Sequence, residues 1–351
     1  MVSAGRGQVP LSATIQHVAA AAGVSVATVS RALNTPERVS QPTRERVLLA
    51  VRDLGYRPNR AARSLRVRAS KVLGLIISDI TNPFFTNLVR GVEDVAQRAG
   101  YSVVLANSDE DLAKEATYLE VAAAEWMAGV VLSPASATRT SIRILREYGI
   151  PVVTIDRKLR GSGLDSITID NVVAARHATE HLIGAGCERI AVVTGPRRTS
   201  TATERLAGCR EALRAEGRTL TSAALRYADY RVEGGYEATR DLLGGPPAPD
   251  GLLVANNLMT IGALAAVEEA GLRTPRDITV VGFDDMSWPL GGRPALTLVA
   301  QPTYDIGSRA AELLLRRVRG ERFPPQRVVL PATLIPEGDM KRPSGMVRRR
   351  S

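Results

Sequence analysis

Polar side chains with the chemistry of a ligand site recur along the chain wherever an apolar run ends. Any one of them would ordinarily be the cap of a loop. Together they supply carboxylates, amides and an arginine beside an aromatic ring, which are the groups that surround a sugar or another polyhydroxylated or zwitterionic molecule. The residues are Asp79, Asn82, Asn107, Asp109, Asp156, Asp170, Thr201, Arg205, Asp229, Tyr230, Asn256 and Asp284.

The elements between these residues predict how they meet. From Lys71 onward, apolar runs of strand length alternate with helical patterns. This order predicts two doubly wound α/β lobes, each a parallel sheet covered by helices, with the polar groups at the C-terminal ends of the strands. No dinucleotide-type glycine motif follows the first run and no P-loop occurs, which disfavours a dinucleotide fold or an NTPase. The predicted strands are Val72–Ile77, Val103–Ala106, Val130–Leu132, Val152–Ile155, Ile190–Val193, Leu252–Ala255 and Ile278–Gly282.

A second set of side chains, near the N-terminus, has the chemistry needed to read DNA. Thr14 caps an apolar stripe at helical spacing, and Gly23 ends that helix in a short turn after which Ser25 caps a second helix. Two short helices joined by such a turn form a helix-turn-helix, although they are also a generic packing unit. On the second helix Arg31 lies away from the buried Val29, and arginine pairs bidentately with guanine.

The charge distribution favours the DNA interpretation. Residues 1–69 hold eleven arginines, no lysine and three acids, a net charge of +8, and residues 341–351 carry +5. Because the whole chain carries +10, the body between them carries −3. A basic head on a slightly acidic body is typical of a polyanion-binding module joined to a domain with another task. We interpret the basic tail as solvated and disordered.

A third helix is expected from Ser40 to Gly55, followed by an arginine-rich segment with one prominent apolar residue, Leu65. That segment is too short to be helical alone in water. It is either a flexible basic linker or a hinge that becomes helical on DNA and inserts Leu65 between base steps of the minor groove.

Several motifs together resemble the lac and galactose repressor family over nearly the whole chain, from about Thr14 to Gly338. The helix-turn-helix signature is highly specific. The matching segments are Thr14-Ile15, Ala22–Asn34, Tyr56–Asn59, Ala62–Leu65, Asn82–Phe85, Asp156-Arg157, Arg205–Gly208, Ala255-Asn256 and Val281–Asp285.

The resemblance implies a ligand-controlled transcriptional repressor with a periplasmic-binding-protein-like core. Its domains would be a disordered extension 1–13, a DNA-binding domain 14–58, a hinge helix 59–69, an effector-binding and dimerisation core 70–338 and a disordered tail 339–351. The implied DNA-binding residues are Thr14, Ser25, Val26, Ala27, Thr28, Ser30, Arg31, Asn34, Tyr56, Asn59 and Leu65. The implied effector-binding residues are Phe84, Phe85, Asp156, Asp170, Thr201, Arg205, Tyr230, Asn256, Asp284 and Gln301.

The resemblance also implies its partners: a near-palindromic operator in double-stranded DNA, a small effector such as a sugar, and a second copy of the chain in a homodimer. No cofactor is expected. Two positions depart from the family pattern. His17 stands where an acid is usual, so the acidic half of a capping box at Thr14 is expected to be missing. Asn257 replaces a common aspartate, which removes one charge near the cleft.

Other functions receive less support from the sequence. His177, His181 and Cys187 have the spacing of a metal half-site, but ordinary helix packing explains them better. No catalytic arrangement has supporting motifs, so an enzyme is not expected. A secreted sugar-binding protein would share the core, but residues 1–12 lack the apolar part of a secretory signal. With no membrane-length apolar run and two cysteines, we expect a cytoplasmic protein without a membrane partner.

Overall fold

The computed structural model describes residues 14–34, 38–55, 70–284 and 296–337, without the side chain of Asn34. The chain forms two compact units that meet in sequence between Arg68 and Ala69. The extension 1–13, the hinge 59–69 and the tail 339–351 lie outside the described residues, and so do Tyr56, Asn59 and Leu65.

The head is a bundle of three short helices, α1 (Ile15–Ala22), α2 (Val26–Asn34) and α3 (Gln41–Asp53). Val18, Val29 and Val47, one from each helix, are fully buried against one another. Gly23 ends α1 in the left-handed conformation at φ +63°, where glycine is favoured. The predicted helix-turn-helix is therefore present, with its third helix behind it.

Helix α1 begins with a complete capping box, contrary to the expectation from His17. The Thr14 hydroxyl accepts from the His17 backbone N–H at 3.4 Å, and His17 Nδ1 accepts from the Thr14 N–H at 3.3 Å. The prediction of a missing half was wrong because an unprotonated imidazole nitrogen is an acceptor, as a carboxylate oxygen is.

The second unit contains two six-stranded sheets, one for each lobe. In the first lobe the strand order is β11-β5-β4-β3-β1-β2, and every pairing is parallel. Its strands are β1 (Val72–Ile77), β2 (Ser102–Asn107), β3 (Gly129–Leu132), β4 (Val152–Ile155), β5 (Asp165–Ile169) and β11 (Arg327–Leu330). Its helices are α4 (Pro83–Arg98), α5 (Leu112–Ala124), α6 (Arg143–Glu147) and α11 (Thr303–Val318).

The second lobe repeats this plan. Its strand order is β12-β10-β9-β8-β6-β7, parallel except for β12, which runs antiparallel to β10. Its strands are β6 (Ile190–Thr194), β7 (Leu225–Tyr227), β8 (Gly251–Val254), β9 (Thr279–Phe283), β10 (Thr297–Ala300) and β12 (Thr333–Ile335). Its helices are α7 (Asn171–Gly184), α8 (Ser200–Ala215), α9 (Val232–Gly244) and α10 (Asn257–Glu269).

The chain crosses between the lobes three times, after β5, after β10 and after β11. The predicted class, a helix-turn-helix domain plus a two-lobed core of doubly wound sheets, is therefore confirmed. Within the described part of the chain, no helix is long and apolar enough to cross a membrane.

Glycines allow the covering helices to pack backbone against backbone. A Cβ atom on Gly208 of α8 would lie 2.0 Å from the Val172 carbonyl oxygen of α7, and one on Gly262 of α10 would lie 1.9 Å from the Val232 oxygen of α9. These close contacts fix the helices, and thereby the loops at their N-termini that face the cleft between the lobes.

Candidate functional sites

Helix α2 presents a mixed face of small and charged side chains. Ser25, Ala27 and Arg31 are exposed and Val26, Thr28 and Ser30 are half-buried, while Val29 and Ala32 are buried. The Ser25 hydroxyl accepts from the Thr28 N–H at 3.1 Å and so caps the helix. Of the predicted base-facing residues, Ala27 and Arg31 are therefore open to solvent, whereas Val26 also packs against the head core.

Between the two lobes, at the C-terminal ends of both sheets, lies a cavity with about 30 Å³ of free volume, room for a water molecule or two. Nine of the ten predicted effector-binding residues line it. They are Phe84, Phe85, Asp156, Thr201, Arg205, Tyr230, Asn256, Asp284 and Gln301.

The tenth, Asp170, is not among the lining residues. It is exposed and caps α7, where its carboxylate accepts from the Val173 N–H at 3.0 Å. Six further residues line the cavity: Asp79, Asn82, Glu110, Arg157, Asp229 and Arg231. Asp79, Asn82, Arg157 and Asp229 belong to the polar groups and motifs found at the strand ends in the sequence, whereas Glu110 and Arg231 were not predicted, although they directly follow Asp109 and Tyr230.

Four of the lining residues have left-handed backbone conformations. Glu110, Asp156, Tyr230 and Asp284 have φ values of +61°, +62°, +67° and +74°. Non-glycine residues adopt this region at a cost, and such strain is concentrated at functional sites. Each of these residues follows a strand, so the turn directs its side chain into the cavity.

Arg205 is held rigidly in the cavity wall. Its Nε donates to Asn171 Oδ1 at 2.8 Å, its Nη1 donates to the Ala255 carbonyl oxygen, and its guanidinium lies 4.1 Å from the centroid of the Phe283 ring. These contacts preorganise the charge, which lowers the entropic cost of binding a ligand oxygen.

Tyr230 forms the opposite wall. Its hydroxyl lies 2.9 Å from Thr201 Oγ1 and 3.2 Å from Thr199 Oγ1, and its ring lies directly on Gly195, where a Cβ would come within 2.0 Å of it. Burial raises the pKa of Tyr230, so the side chain is a neutral phenol. It offers a flat apolar face of the kind that stacks on a sugar ring.

Opposite charges are packed closely in the first lobe. Arg157 makes two bonds to Glu110, Nη1 to Oε2 at 2.7 Å and Nη2 to Oε1 at 2.5 Å. Although burial would lower the pKa of Arg157, Glu110 and Asp156 raise it overall. Burial raises the pKa of Asp156 from 3.8 to about 6, against the lowering effect of Arg157 and Arg205.

Hydrogen bonds between the lobes hold the cavity closed. Each bond joins a segment of one lobe to a segment of the other, so the cavity opens to a ligand only if these bonds break. The bonds are Asn257 Nδ2 to Asn82 Oδ1 at 2.9 Å, Lys158 N to Ser200 Oγ at 2.9 Å and Ala137 N to Arg198 O at 2.9 Å. The bond from Asn257 to Asn82 explains why asparagine stands at position 257 in place of the aspartate common in the pattern, because an ionised aspartate has no hydrogen to donate.

Comparison with known proteins decides the family. Residues 14–59 match the profile described as bacterial regulatory proteins, lacI family, and residues 179–338 match the periplasmic binding protein-like domain. The chain is 38% identical to the ribose operon repressor of Halalkalibacterium halodurans over 92% of this chain and 95% of that protein. It is 36% identical to the transcriptional regulator CelR of Thermobifida fusca over 92% and 96%.

The chain belongs to the lacI family.

Two solved structures of the family agree with the fold. A complex of the regulator CelR with cellobiose superposes with a TM-score of 0.71 at 33% identity, covering 93% of this chain and all of the other. A lac repressor dimer bound to operator and the anti-inducer ONPF gives a TM-score of 0.78 at 29% identity, covering 93% and 98%. The lacI-family resemblance read from the motifs is thus confirmed.

The residues weighed as a metal half-site make other contacts in this lacI-family chain. His181 Nε2 lies 3.1 Å from Thr297 Oγ1, and the Cys187 thiol is directed at the Asp250 carbonyl oxygen at 3.6 Å. Among the residues the structure describes, no group of three or more His, Cys, Asp or Glu side chains is arranged to hold a metal ion.

The raised pKa of Asp156 predicts a pH-dependent cost to stability. Its folded pKa of about 6 exceeds the ordinary 3.8, so the folded state binds this proton more tightly than the unfolded state. The cost is absent below pH 4, grows between pH 4 and 6 and is complete above pH 6. We expect Asp156→Asn to be more stable than the wild type by about 3 kcal/mol at pH 7.5 and nearly equal to it at pH 4, and asparagine also tolerates the left-handed backbone.

Thermal unfolding midpoints of the full chain at pH 4, 5, 6 and 7.5 measure this difference. Asp241→Asn, which changes an exposed carboxylate in an ion pair with Arg226, is the matched control and should differ little at any pH. A stability difference that does not vary with pH would show that the Asp156 carboxylate is not the cause.

Proposed function

We propose that the protein is a transcriptional repressor that binds its operator through α2 and is controlled by a small uncharged sugar bound between the two lobes. The observation that carries the proposal is the combination, in one chain, of a basic helix-turn-helix head and a closed polar cleft lined by buried carboxylates, arginines and aromatic rings. A sugar-binding protein that does not bind DNA would not require the basic helix-turn-helix head.

The face of α2 supports base recognition. The exposed Ala27 and Arg31 and the half-buried Val26 lie in the region of a recognition helix that enters the major groove. We assign base contacts to these three and contacts with the phosphate backbone to Thr28, Ser30 and Asn34. Thr14 and Ser25, at the starts of α1 and α2, would place backbone N–H groups near phosphates.

We further propose a homodimer on a near-palindromic operator. The lac repressor in the operator complex is a dimer, and two-fold protein symmetry matches two half-sites one helical turn apart. In this scheme Tyr56 and Asn59 contact the backbone and Leu65 enters the minor groove at the operator centre. These three residues lie outside the described part of the chain, so their roles rest on the resemblance alone.

The charge of the cleft supports an uncharged ligand. Its lining carries five carboxylates, Asp79, Glu110, Asp156, Asp229 and Asp284, against three guanidiniums, Arg157, Arg205 and Arg231. A hydroxyl donates to a carboxylate and accepts from a guanidinium, so a sugar satisfies both kinds of group, whereas an anion meets an excess of negative charge.

The size of the cleft favours a monosaccharide. Its free volume of about 30 Å³ means that any sugar must part the lobes, and a disaccharide must part them further and break more of the bonds between them. Relatives named for ribose repression are 38% and 36% identical to this chain. We therefore propose a pentose such as D-ribose in preference to cellobiose, the ligand in the CelR complex.

Control of the operator follows from the two lobes. An effector that prefers one arrangement of the lobes shifts the protein towards it, and the shift changes DNA affinity by the difference in binding free energy, typically ~1–3 kcal/mol. Residues 56–69 join the head to the first lobe in sequence, so the coupling passes through them.

Arg31→Ala should reduce operator affinity selectively. A bidentate arginine contact with guanine is worth about 1–3 kcal/mol, so we expect a loss of roughly 5- to 150-fold on an operator selected from random duplex DNA and a much smaller loss on unrelated DNA. Arg143→Ala removes the same charge from an exposed position on α6 in the other unit and is the control. Equal losses on both DNAs would mean that Arg31 contacts phosphate and not a base.

Calorimetry of the full chain tests the sugar. We expect D-ribose to bind saturably, cellobiose to bind at least 10-fold more weakly, and Asp284→Asn to weaken D-ribose by at least 10-fold because a buried carboxylate acceptor is lost. Asp277→Asn, an exposed aspartate in the same lobe bound to Arg273, is the control and should leave D-ribose affinity unchanged. Tighter binding of cellobiose, or no effect of Asp284→Asn, would contradict the proposal.

A further inference from the structure

The ion pair between Arg157 and Glu110 uses one N–H group on each terminal nitrogen of Arg157. Both side chains are nearly buried, at 6% and 10% exposure, and the two terminal nitrogens of the guanidinium each meet one oxygen of the carboxylate. This bidentate geometry is the same one by which arginine recognises phosphate. Glu110 therefore occupies the position that a phosphate group would take on Arg157.

The loop that carries Glu110 holds it firmly in this position. The Glu110 N–H donates to the Ser78 carbonyl oxygen at 3.1 Å, and its backbone is left-handed at φ +61°. On the two sides, Asn107 Nδ2 donates to Asp109 Oδ1 at 2.8 Å and Asp111 caps α5. Both neighbours are tied to the loop, and the Glu110 carboxylate meets the Arg157 guanidinium.

Two N–H groups of Arg157 remain, the one on Nε and the second one on Nη2, since Nη1 also donates to the Pro134 carbonyl oxygen at 3.3 Å. The buried Nε has no hydrogen-bond partner among the described residues, because Asp156 Oδ2, although 3.3 Å away, is poorly aligned. Buried donors in folded proteins are nearly always satisfied, so an orphan on a cavity wall indicates a ligand atom. These two N–H groups lie on one edge of the guanidinium and can donate to hydroxyl oxygens of a neutral molecule.

We propose that Glu110 sets the charge specificity of the cleft: by pairing with both terminal nitrogens of Arg157, it neutralises the guanidinium, leaves the Nε edge for sugar hydroxyls and excludes phosphorylated forms of the same sugar. The inference rests on the proposed function, in that the cleft binds a sugar. Glu110 acts through Arg157 and is a positioning residue. A phosphate that entered would lie beside the carboxylates of Glu110, Asp156 and Asp284, where like charges repel in a dry site.

Glu110→Gln tests the proposal in the full-length protein. A neutral amide offers one acceptor to Arg157 and releases the other terminal nitrogen with its full positive charge. We expect affinity for D-ribose 5-phosphate, measured by calorimetry, to rise at least 10-fold over the wild type relative to affinity for D-ribose. Inorganic phosphate, which has no ring to fit, should raise the thermal midpoint of the variant more than that of the wild type at equal ionic strength.

Two further variants make the result interpretable. Glu180→Gln removes an exposed carboxylate paired with Arg176 on α7 and should change neither affinity. If Glu110→Gln does not fold, Glu110→Asp withdraws the carboxylate while keeping its charge, and it should show a smaller gain in the same direction.

The outcomes separate the two proposals. A gain for either anion supports the role of Glu110, whether or not D-ribose binds. If no protein binds D-ribose, the proposed sugar is wrong while an anion gain still supports Glu110. If D-ribose binds but neither anion gains in either variant, the role of Glu110 is overturned and the proposed function stands.

Discussion

The connection rule of parallel sheets determines where this protein binds its ligand. Parallel strands are joined by crossover helices, so the loops that follow the strands all leave from one edge of a sheet. Here two such sheets are linked by three chain crossings, so their C-terminal edges face each other. Phe84, Arg157, Tyr230 and Asp284 come from four different strand ends and meet in one cavity only because of this arrangement.

Burial then gives the cavity its chemistry. Charged groups are costly to bury unless they are paired or hydrogen-bonded. Arg205 is held by Asn171, the Ala255 carbonyl and the Phe283 ring, and Arg157 is held by Glu110 and the Pro134 carbonyl, whereas its Nε has no partner among the described residues. Two groups are exceptions, Nε of Arg157 and the carboxyl of Asp156 with its pKa of about 6. The protein alone does not fully stabilise these two groups, and a bound ligand can do so.

The sequence predicted the two lobes and most of the cavity lining because unbroken apolar runs mark the strands and polar residues directly after those runs mark the lining. A buried strand such as Val72–Ile77 is an unbroken apolar run, and the polar residue after it is easily seen. Short strands such as Asp165–Ile169 and Thr333–Ile335 alternate polar and apolar residues and were not predicted, since their pairing depends on crossings between lobes that local pattern does not encode.

Differences between the expected and the observed surroundings of the site have the same origin. Asp170 follows a strand, as the true lining residues do, but the chain crosses to the other lobe there and the carboxylate becomes a helix cap. Glu110 lies one residue beyond the polar cluster Asn107–Asp109, and nothing in the sequence pairs it with Arg157, 47 positions away. The capping role of His17 was missed because motif patterns count acids, whereas the helix requires only an acceptor.

The central claim is that a sugar in the cleft and an operator at the head are energetically coupled. The most direct test measures operator affinity of the full-length protein with and without saturating D-ribose, and D-ribose affinity with and without the operator. The account predicts that each ligand changes the affinity for the other by the same factor, between about 5 and 150, because binding linkage is reciprocal. D-ribose that binds in the cleft and leaves operator affinity unchanged would contradict it.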